Sequence, residues 1–155
     1  MRILSDALAS ERGDLYQLVP QGKALQTDFC LAEEYRKASL AYASAVLPVN
    51  ADAAPLIADM REVMTNYAAN GVPAEVVDAL KRRFIARMQF DRNSISDLAD
   101  EWSDALAAKG LDSPDEDVEA VRRVTVEDVN RIAKQYLVEH NSITAQLKPL
   151  PAGGK

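Results

Sequence analysis

The order of apolar and polar residues divides the chain into a short helical start, a pair of strands and a long helical stretch. Residues 2–9 and 14–19 have helical spacing, with a polar turn between them. From residue 24 the period changes to two, and a second alternating run covers 39–48. In that second run Ala41, Ala43 and Ala45 share one face, which leaves room for a helix to lie close. We predict a β-hairpin with helices packed on its alanine side.

Helical spacing then dominates until near the end of the chain. Proline residues near the first turns, Asn-Gly and Gly stops, and a polar break at 91–94 mark the boundaries. Strands followed by clustered helices indicate an α+β fold, an antiparallel sheet with helices layered on one face. We predict one partial domain over 1–149 and a flexible tail over 150–155. The predicted helices are 55–70, 73–90, 95–110, 113–123 and 125–137, and a last strand is 142–149.

Two of these helices carry explicit start signals. Thr125 and Asp128 have capping-box spacing, and Val124 with Val129 has the spacing of a hydrophobic staple. Ser113 is a second predicted cap, with Glu116 reaching back to it. These signals predict where the helices begin but assign them no chemistry.

The composition of the chain limits the classes of function that it can have. The chain has 155 residues, 48% of them hydrophobic, a net charge of −6, one Cys and one His. This length suits one domain, and the negative charge disfavours a nucleic-acid partner. A single cysteine excludes an internal disulfide. Because no apolar run reaches membrane-span length and no signal-peptide pattern is present, we expect no membrane association.

The two residues most suited to catalysis stand alone in the sequence. A catalytic zinc usually needs three protein ligands, and His140 has no second histidine or HxxEH motif beside it. We therefore expect a partly exposed turn residue. Cys30 would need a basic partner to act as a nucleophile, and we expect a small strand residue, buried or half-buried. No catalytic, cofactor-binding or metal-binding residue is assigned.

Charged and aromatic clusters have equally ordinary interpretations. Lys81, Arg82 and Arg83 are consecutive, so they fan around a helix, and with Arg92 they are expected to form a solvated, acid-balanced face. The acids of 112–119 do not fit an EF-hand loop and complement a helix N-terminus. Trp102 and the methionines fall on apolar stripes and are expected in the core.

The order of several segments resembles a known family. The segments are "ILSDALASERGDLYQLV", then "GKAL" entering a strand and hairpin, then "GVPAEVVDALKRRF", and finally "VTVEDVNRIAKQYL", Asn141 and "ITAQLKPLP". Taken in this order across nearly the whole chain, they resemble the insulinase (pitrilysin-type) zinc peptidases, which include the mitochondrial processing peptidases. The match lies in the later part of the family's non-catalytic, closing half.

This resemblance implies a function without local chemistry. The chain would form one wall of a peptide-binding chamber, while the zinc site lies in a part outside it. Its implied partners are a peptide substrate and the catalytic half of the same protein or a partner subunit. Zinc is implied for the parent enzyme and no cofactor for this chain. The compartment, cytoplasm or periplasm, is left open by the sequence. The thin predicted sheet suggests that opening strands belong to an upstream segment, with Met1 a truncated start.

The sequence also departs from the family pattern. Some active members carry a substrate-holding arginine and tyrosine at positions that correspond to Val19 and Leu25 here, and Asp14 stands where an arginine is frequent. The substrate-clamping pair is therefore not carried over. The alternative is a non-enzymatic scaffold or assembly subunit of the same fold, and whether the parent protein is an active zinc endopeptidase stays open. A third, unrelated alternative is a helical interaction module.

Overall fold

The computed structural model describes residues 1–34 and 39–149. Its elements are α1 (Arg2–Leu8), α2 (Asp14–Gln17), β1 (Gln26–Glu34), β2 (Ser39–Val46), α3 (Ala54–Asn70), α4 (Ala74–Asp91), α5 (Ile95–Ser103), α6 (Pro114–Arg123) and α7 (Val126–Tyr136). A π-helical turn, Asp104–Lys109, continues α5, and a 3-10 turn, Glu139–Asn141, follows α7. The predicted α+β class with helices on one side of an antiparallel sheet is confirmed. The predicted tail, 150–155, and the middle of the hairpin loop, 35–38, lie outside the described residues.

The sheet consists of the predicted hairpin, β1 and β2, paired antiparallel. Thr27 lies opposite Ala45, Phe29 opposite Ala43 and Leu31 opposite Ala41, so these six share one face. Helices α1 and α2 pack against β1. The hydroxyl of Thr27 on β1 also donates a hydrogen bond to the carbonyl of Leu15 on α2 at 3.0 Å. The alanine side of the hairpin is therefore the helix side, as the alternation predicts.

Helix α1 is the centre of the core. Its stripe of Ile3, Leu4, Ala7 and Leu8 is buried, as the spacing predicts. It contacts β1 on one side and helices α4 and α7 on the other. The guanidinium of Arg2 lies 5.3 Å from the centre of the Phe84 ring, a cation–π contact that ties α1 to α4. The sheet and the helical layer therefore share one continuous core.

Both predicted helix caps form. The Thr125 hydroxyl accepts the amide of Asp128 at 3.1 Å, and the Asp128 carboxylate accepts the amide of Thr125 at 3.2 Å, which completes the capping box. Ser113 accepts the amide of Asp115, but Glu116 accepts the amide of Asp112 at 2.9 Å instead of reaching Ser113. Ser113 therefore caps the helix, while Glu116 binds the backbone of the residue before it.

The prediction of a last strand over residues 142–149 is wrong. Residues 142–149 make no ladder with either strand in the part of the chain that the structure describes. The segment lies beside α3 because the guanidinium of Arg61 donates to the Thr144 hydroxyl at 3.1 Å and pairs with Glu139 at 3.1 Å. An extended backbone becomes a strand only where a partner edge is within reach, and a helix occupies that side.

Trp102, which is predicted in the core, is exposed, and so is Tyr136 at the end of α7. Trp102 has an exposed fraction of 42%, and Tyr136 on α7 is half-exposed. Helix α7 buries Val129 and Ala133 instead, and its main partners are α3, α1 and α4, not the sheet. Periodicity identifies an apolar stripe, but the partner that covers it decides which residues are buried.

Candidate functional site

The outer face of the hairpin, away from the helices, is the most regular exposed apolar surface on the strands. Leu40, Tyr42 and Val46 are each about half-exposed, and the register puts Gln26, Asp28 and Cys30 of β1 on the same face. We call these six residues the outer hairpin face. A sheet face that exposes aliphatic and aromatic groups beside polar ones suits contact with an extended chain.

Cys30 lies directly opposite Tyr42 in the register and is half-buried, as the sequence predicts. The electrostatic interaction with Cys30 raises the pKa of the Tyr42 phenol. A hydrogen bond between the two side chains raises this pKa further. Asp28 also raises this pKa. The outer hairpin face contains no basic side chain that could act as a partner to Cys30 as a nucleophile. Tyr42 instead keeps its proton as a hydrogen-bond donor.

Val19, Leu25 and Asp14, the three positions at which the sequence departs from the pattern it resembles, have structural surroundings. Val19 is half-buried and packs against the core, and Leu25 is exposed just before β1. The amide of Leu25 donates to the carbonyl of Val46 at 2.8 Å, which starts the hairpin pairing. Asp14, at the first turn of α2, accepts from the side-chain amide of Asn66 at 3.5 Å. These three residues therefore contribute to packing and to backbone pairing. None of them offers a cationic or phenolic group to a ligand.

The remaining sequence candidates are dispersed. His140 is exposed in the 3-10 turn. Over residues 1–34 and 39–149, no group of three or more His, Cys, Asp or Glu side chains is arranged to hold a metal ion. Over the same residues, no helix combines the length and the apolar character that a bilayer crossing requires.

Two of the four cations in the basic stretch form contacts within the protein. The Lys81 ammonium donates to the carbonyl of Val124, where α6 passes into α7, at 2.5 Å. Arg92 pairs with Asp115 of α6. Arg82 and Arg83 are exposed on α4. Two of the four cations therefore bind helices together, and the acids of 112–119 serve as their partners and as caps.

A shallow acidic cavity of about 370 Å³ lies between α4 and α5, and sequence reasoning missed it. Both carboxylate oxygens of Glu101 are buried there, with no hydrogen-bond partner among the described residues. Burial raises the pKa of Glu101; Arg92 opposes this, while Asp91, Asp97 and Asp115 add to it. The spacing of the acids along α5 was visible in the sequence, but their orientation toward α4 was not. The cavity is lined by Arg87, Asp91, Asp97, Asp100, Glu101 and Asp104.

Replacing Glu101 with glutamine is expected to stabilise the protein at neutral pH by up to about 1 kcal/mol, because a neutral amide loses less on burial than a charged carboxylate. The pKa of Glu101 is raised above its ordinary value of 4.5, so the folded state holds this proton more tightly than the unfolded state. The wild-type protein therefore gains stability as the pH falls through the raised pKa, and the advantage of the variant disappears below about pH 4.

Urea unfolding of wild type and Glu101→Gln at pH 7 and at about pH 4 measures this effect. Asp100→Asn, an exposed neighbour on the same helix, controls for the general loss of negative charge. Equal stabilisation by both variants at pH 7 would contradict a specific desolvation of Glu101.

A second cavity of about 320 Å³ lies between the start of α1 and helices α6 and α7. Its charged side chains are already paired: Arg2 with Asp117 at 3.4 Å and Arg131 with Asp128 at 2.9 Å. The remaining lining is mostly aliphatic, including Val121, Val129 and Ile132. This arrangement serves packing and presents no free group for catalysis in the described part of the cavity.

Solved structures share this fold, among them two from Bordetella species. A candidate zinc protease from Bordetella pertussis Tohama I superposes with a TM-score of 0.76 at 19% identity, over 90% of this chain and 78% of that chain. The inactive peptidase domain of a candidate zinc protease from Bordetella parapertussis superposes with a TM-score of 0.84 at 19% identity, over 97% of this chain and 83% of that chain. No family model and no curated protein matches the sequence. The chain therefore has a zinc-protease-like fold, and at this identity the likeness concerns the fold alone.

Proposed function

We propose that this chain is a non-catalytic peptidase-like domain that forms one wall of a peptide-binding chamber. The observation that carries the proposal is the fold shared, over almost the entire chain, with a domain described as the inactive peptidase domain of a candidate zinc protease. Insulinase-type organisation, in which a catalytic half supplies zinc and its ligands, is part of this proposal. The partner would be that half, on the same protein or on another subunit.

The outer hairpin face is the proposed peptide-contacting surface. In β-strand addition, an extended peptide pairs with the free edge of a sheet by main-chain hydrogen bonds, and its alternate side chains then lie on the same face as those of the edge strand. On β2, Leu40 and Tyr42 are exposed at alternate positions, which matches the side-chain period of such a peptide. The protonated phenol of Tyr42, which hydrogen-bonds with Cys30 in the free chain, would turn to donate to a peptide carbonyl. This surface binds and orients a peptide but supplies no acid, base or nucleophile.

The test measures binding and hydrolysis together on the purified chain. We expect a fluorescently labelled, unstructured peptide to bind by anisotropy and to remain uncleaved when zinc is added. Tyr42→Ser is expected to weaken this binding about tenfold, the effect of removing one well-placed aromatic contact. Tyr136→Ser is the matched control, because Tyr136 has the same exposed fraction, 49%, on a helix away from the hairpin.

Each other result contradicts a defined part of the proposal. Peptide cleavage, or tight one-to-one zinc binding in a calorimetric titration, would show that the chain has its own catalytic site. Equal effects of Tyr42→Ser and Tyr136→Ser would remove the outer hairpin face as the contact surface. A folded chain that binds no peptide would favour the scaffold alternative.

A further inference from the structure

A notch on the outer side of the hairpin has a carboxylate at its back. Ser44 lies on β2 between Tyr42 and Val46, and all three are exposed on the same side of the strand. Because Ser44 is much smaller than its two neighbours, the surface is lower between them. The register puts Asp28 of β1 directly opposite Ser44, on the same side of the sheet. We call Asp28, Tyr42, Ser44 and Val46 the hairpin notch.

The Asp28 carboxylate is available to a ligand. It is exposed, and it forms no hydrogen bond or ion pair with another of the described residues. Its neighbours along this side of β1, Gln26 and Cys30, carry no positive charge. The pKa of the Tyr42 phenol is raised by Cys30 and, to a smaller extent, by Asp28, so the charge of Asp28 acts across the notch. Asp28 and Tyr42 are diagonal neighbours in the register, a separation that long side chains span.

A peptide added to the free edge of β2 would have one side chain beside Ser44. Alternate side chains of the added strand would lie on the side of the sheet that contains the hairpin notch. The peptide residue beside Ser44 would be two strand spacings, about 10 Å, from Asp28. A lysine or arginine side chain is long enough to cross Ser44 and bring its charge to that carboxylate. The peptide residues two positions before and after it would lie beside Tyr42 and Val46, which suit apolar side chains.

We propose that the hairpin notch selects extended peptides in which a lysine or arginine is flanked, two positions away on either side, by apolar residues. This inference rests on the proposed function, because it names the class of peptide that the outer hairpin face would bind. The cationic group of the peptide pairs with Asp28, and its apolar stem packs against the Tyr42 ring. Main-chain pairing and apolar contacts supply most of the affinity, while the exposed ion pair supplies a selectivity of several fold.

Three labelled peptides that differ only at their central residue test this selection. The central residue is lysine, norleucine or glutamate, valine stands two positions away on either side, and the remaining residues are serine and threonine. Norleucine has the apolar stem of lysine without the charge, so this pair isolates the ion pair. We expect the lysine peptide to bind the wild-type chain about fivefold more tightly than the norleucine peptide in anisotropy titrations. The glutamate peptide should bind most weakly, because Asp28 repels it.

Two substitutions of Asp28 test whether this carboxylate is responsible. Asp28→Asn is expected to remove the preference for lysine, and Asp28→Lys to reverse it, so that the glutamate peptide binds best. A reversed preference is an effect that a merely structural role of Asp28 would not produce. Asp78→Asn and Asp78→Lys control for the change in net charge, because Asp78 is exposed on α4.

The inference and the proposed function fail with different results. Equal binding of the lysine and norleucine peptides to the wild-type chain would overturn the inference and leave the outer hairpin face as a peptide-contacting surface. Absence of binding by all three peptides would overturn both. A lysine preference that persists in a folded Asp28→Lys chain, or that Asp78→Lys also reverses, would overturn the inference alone. Loss of folding in both Asp28 variants, checked by circular dichroism, would do the same, because Asp28 would then be structural.

Discussion

Replacing Leu8 with alanine is expected to lower the free energy of unfolding by about 3 kcal/mol, the typical loss for a fully buried leucine. Leu8 has an exposed fraction of 1% and lies on α1, which contacts both the hairpin and the helical layer. Because α1 joins the two layers, the surroundings have little freedom to collapse into the space left behind. Chemical denaturation followed by far-ultraviolet circular dichroism measures the loss.

Leu147→Ala is the matched control for that experiment. Leu147 is fully exposed at 101%, so its truncation is expected to change the free energy of unfolding by less than about 0.5 kcal/mol. Similar losses for both variants would mean that residues 142–149 are packed in solution, which would contradict the extended, exposed segment described above.

Gly71→Ala is expected to be the second large effect, a loss of about 2–3 kcal/mol. Gly71 ends α3 with φ of 75°, a conformation that L side chains rarely adopt. A Cβ there would lie 2.5 Å from the side-chain amide of Asn130. That amide is not free to move away, because its oxygen accepts the amide of Val72 at 2.7 Å and links α7 to the end of α3.

Gly22→Ala separates the two causes in the same assay. Gly22 has nearly the same φ, 73°, but a Cβ there meets nothing within 4 Å. We expect this variant to lose about 1 kcal/mol, the conformational part alone. The double variant Gly71→Ala, Asn130→Ala should lose less than the sum of the two single variants, since the clash is then absent. Strict additivity would contradict the close approach of Asn130 to Gly71.

Local chemistry made much of the fold predictable. The capping box of Thr125 and Asp128 and the stop at Gly71 depend on a few neighbouring residues, and each forms where the sequence predicts. The hairpin register follows from alternation, because a shift by one residue would put the alanines of β2 on the outer face. Signals of this kind are complete within a short stretch of chain.

The rest depended on distant partners. Residues 142–149 alternate like a strand but pair with neither β1 nor β2, and Arg61 on α3 binds Thr144 instead. Trp102 and Tyr136 lie on apolar stripes, yet the packing of α5 and α7 turns both toward solvent. The π-helical geometry at Asp104–Lys109 had no recognised sequence signal.

The candidate site was only partly visible in the sequence. Alternation along β2 put Leu40, Tyr42 and Val46 on one side, but exposure of that side depends on what covers the sheet. The contact between Cys30 and Tyr42 required the pairing register. The acidic cavity required the angle between α4 and α5, which no local pattern encodes.

The central position of α1 in the core also affects how the chain folds during its synthesis. Arg2–Leu8 leaves the ribosome well before one of its packing partners, Val126–Tyr136, is synthesised. At ordinary translation speeds the nascent chain carries this apolar helix without its full cover for on the order of ten seconds. Closing so long a loop is entropically unfavourable and slows the final step. During synthesis, Ile3 and Leu4 are therefore expected to expose apolar surface that a chaperone can bind.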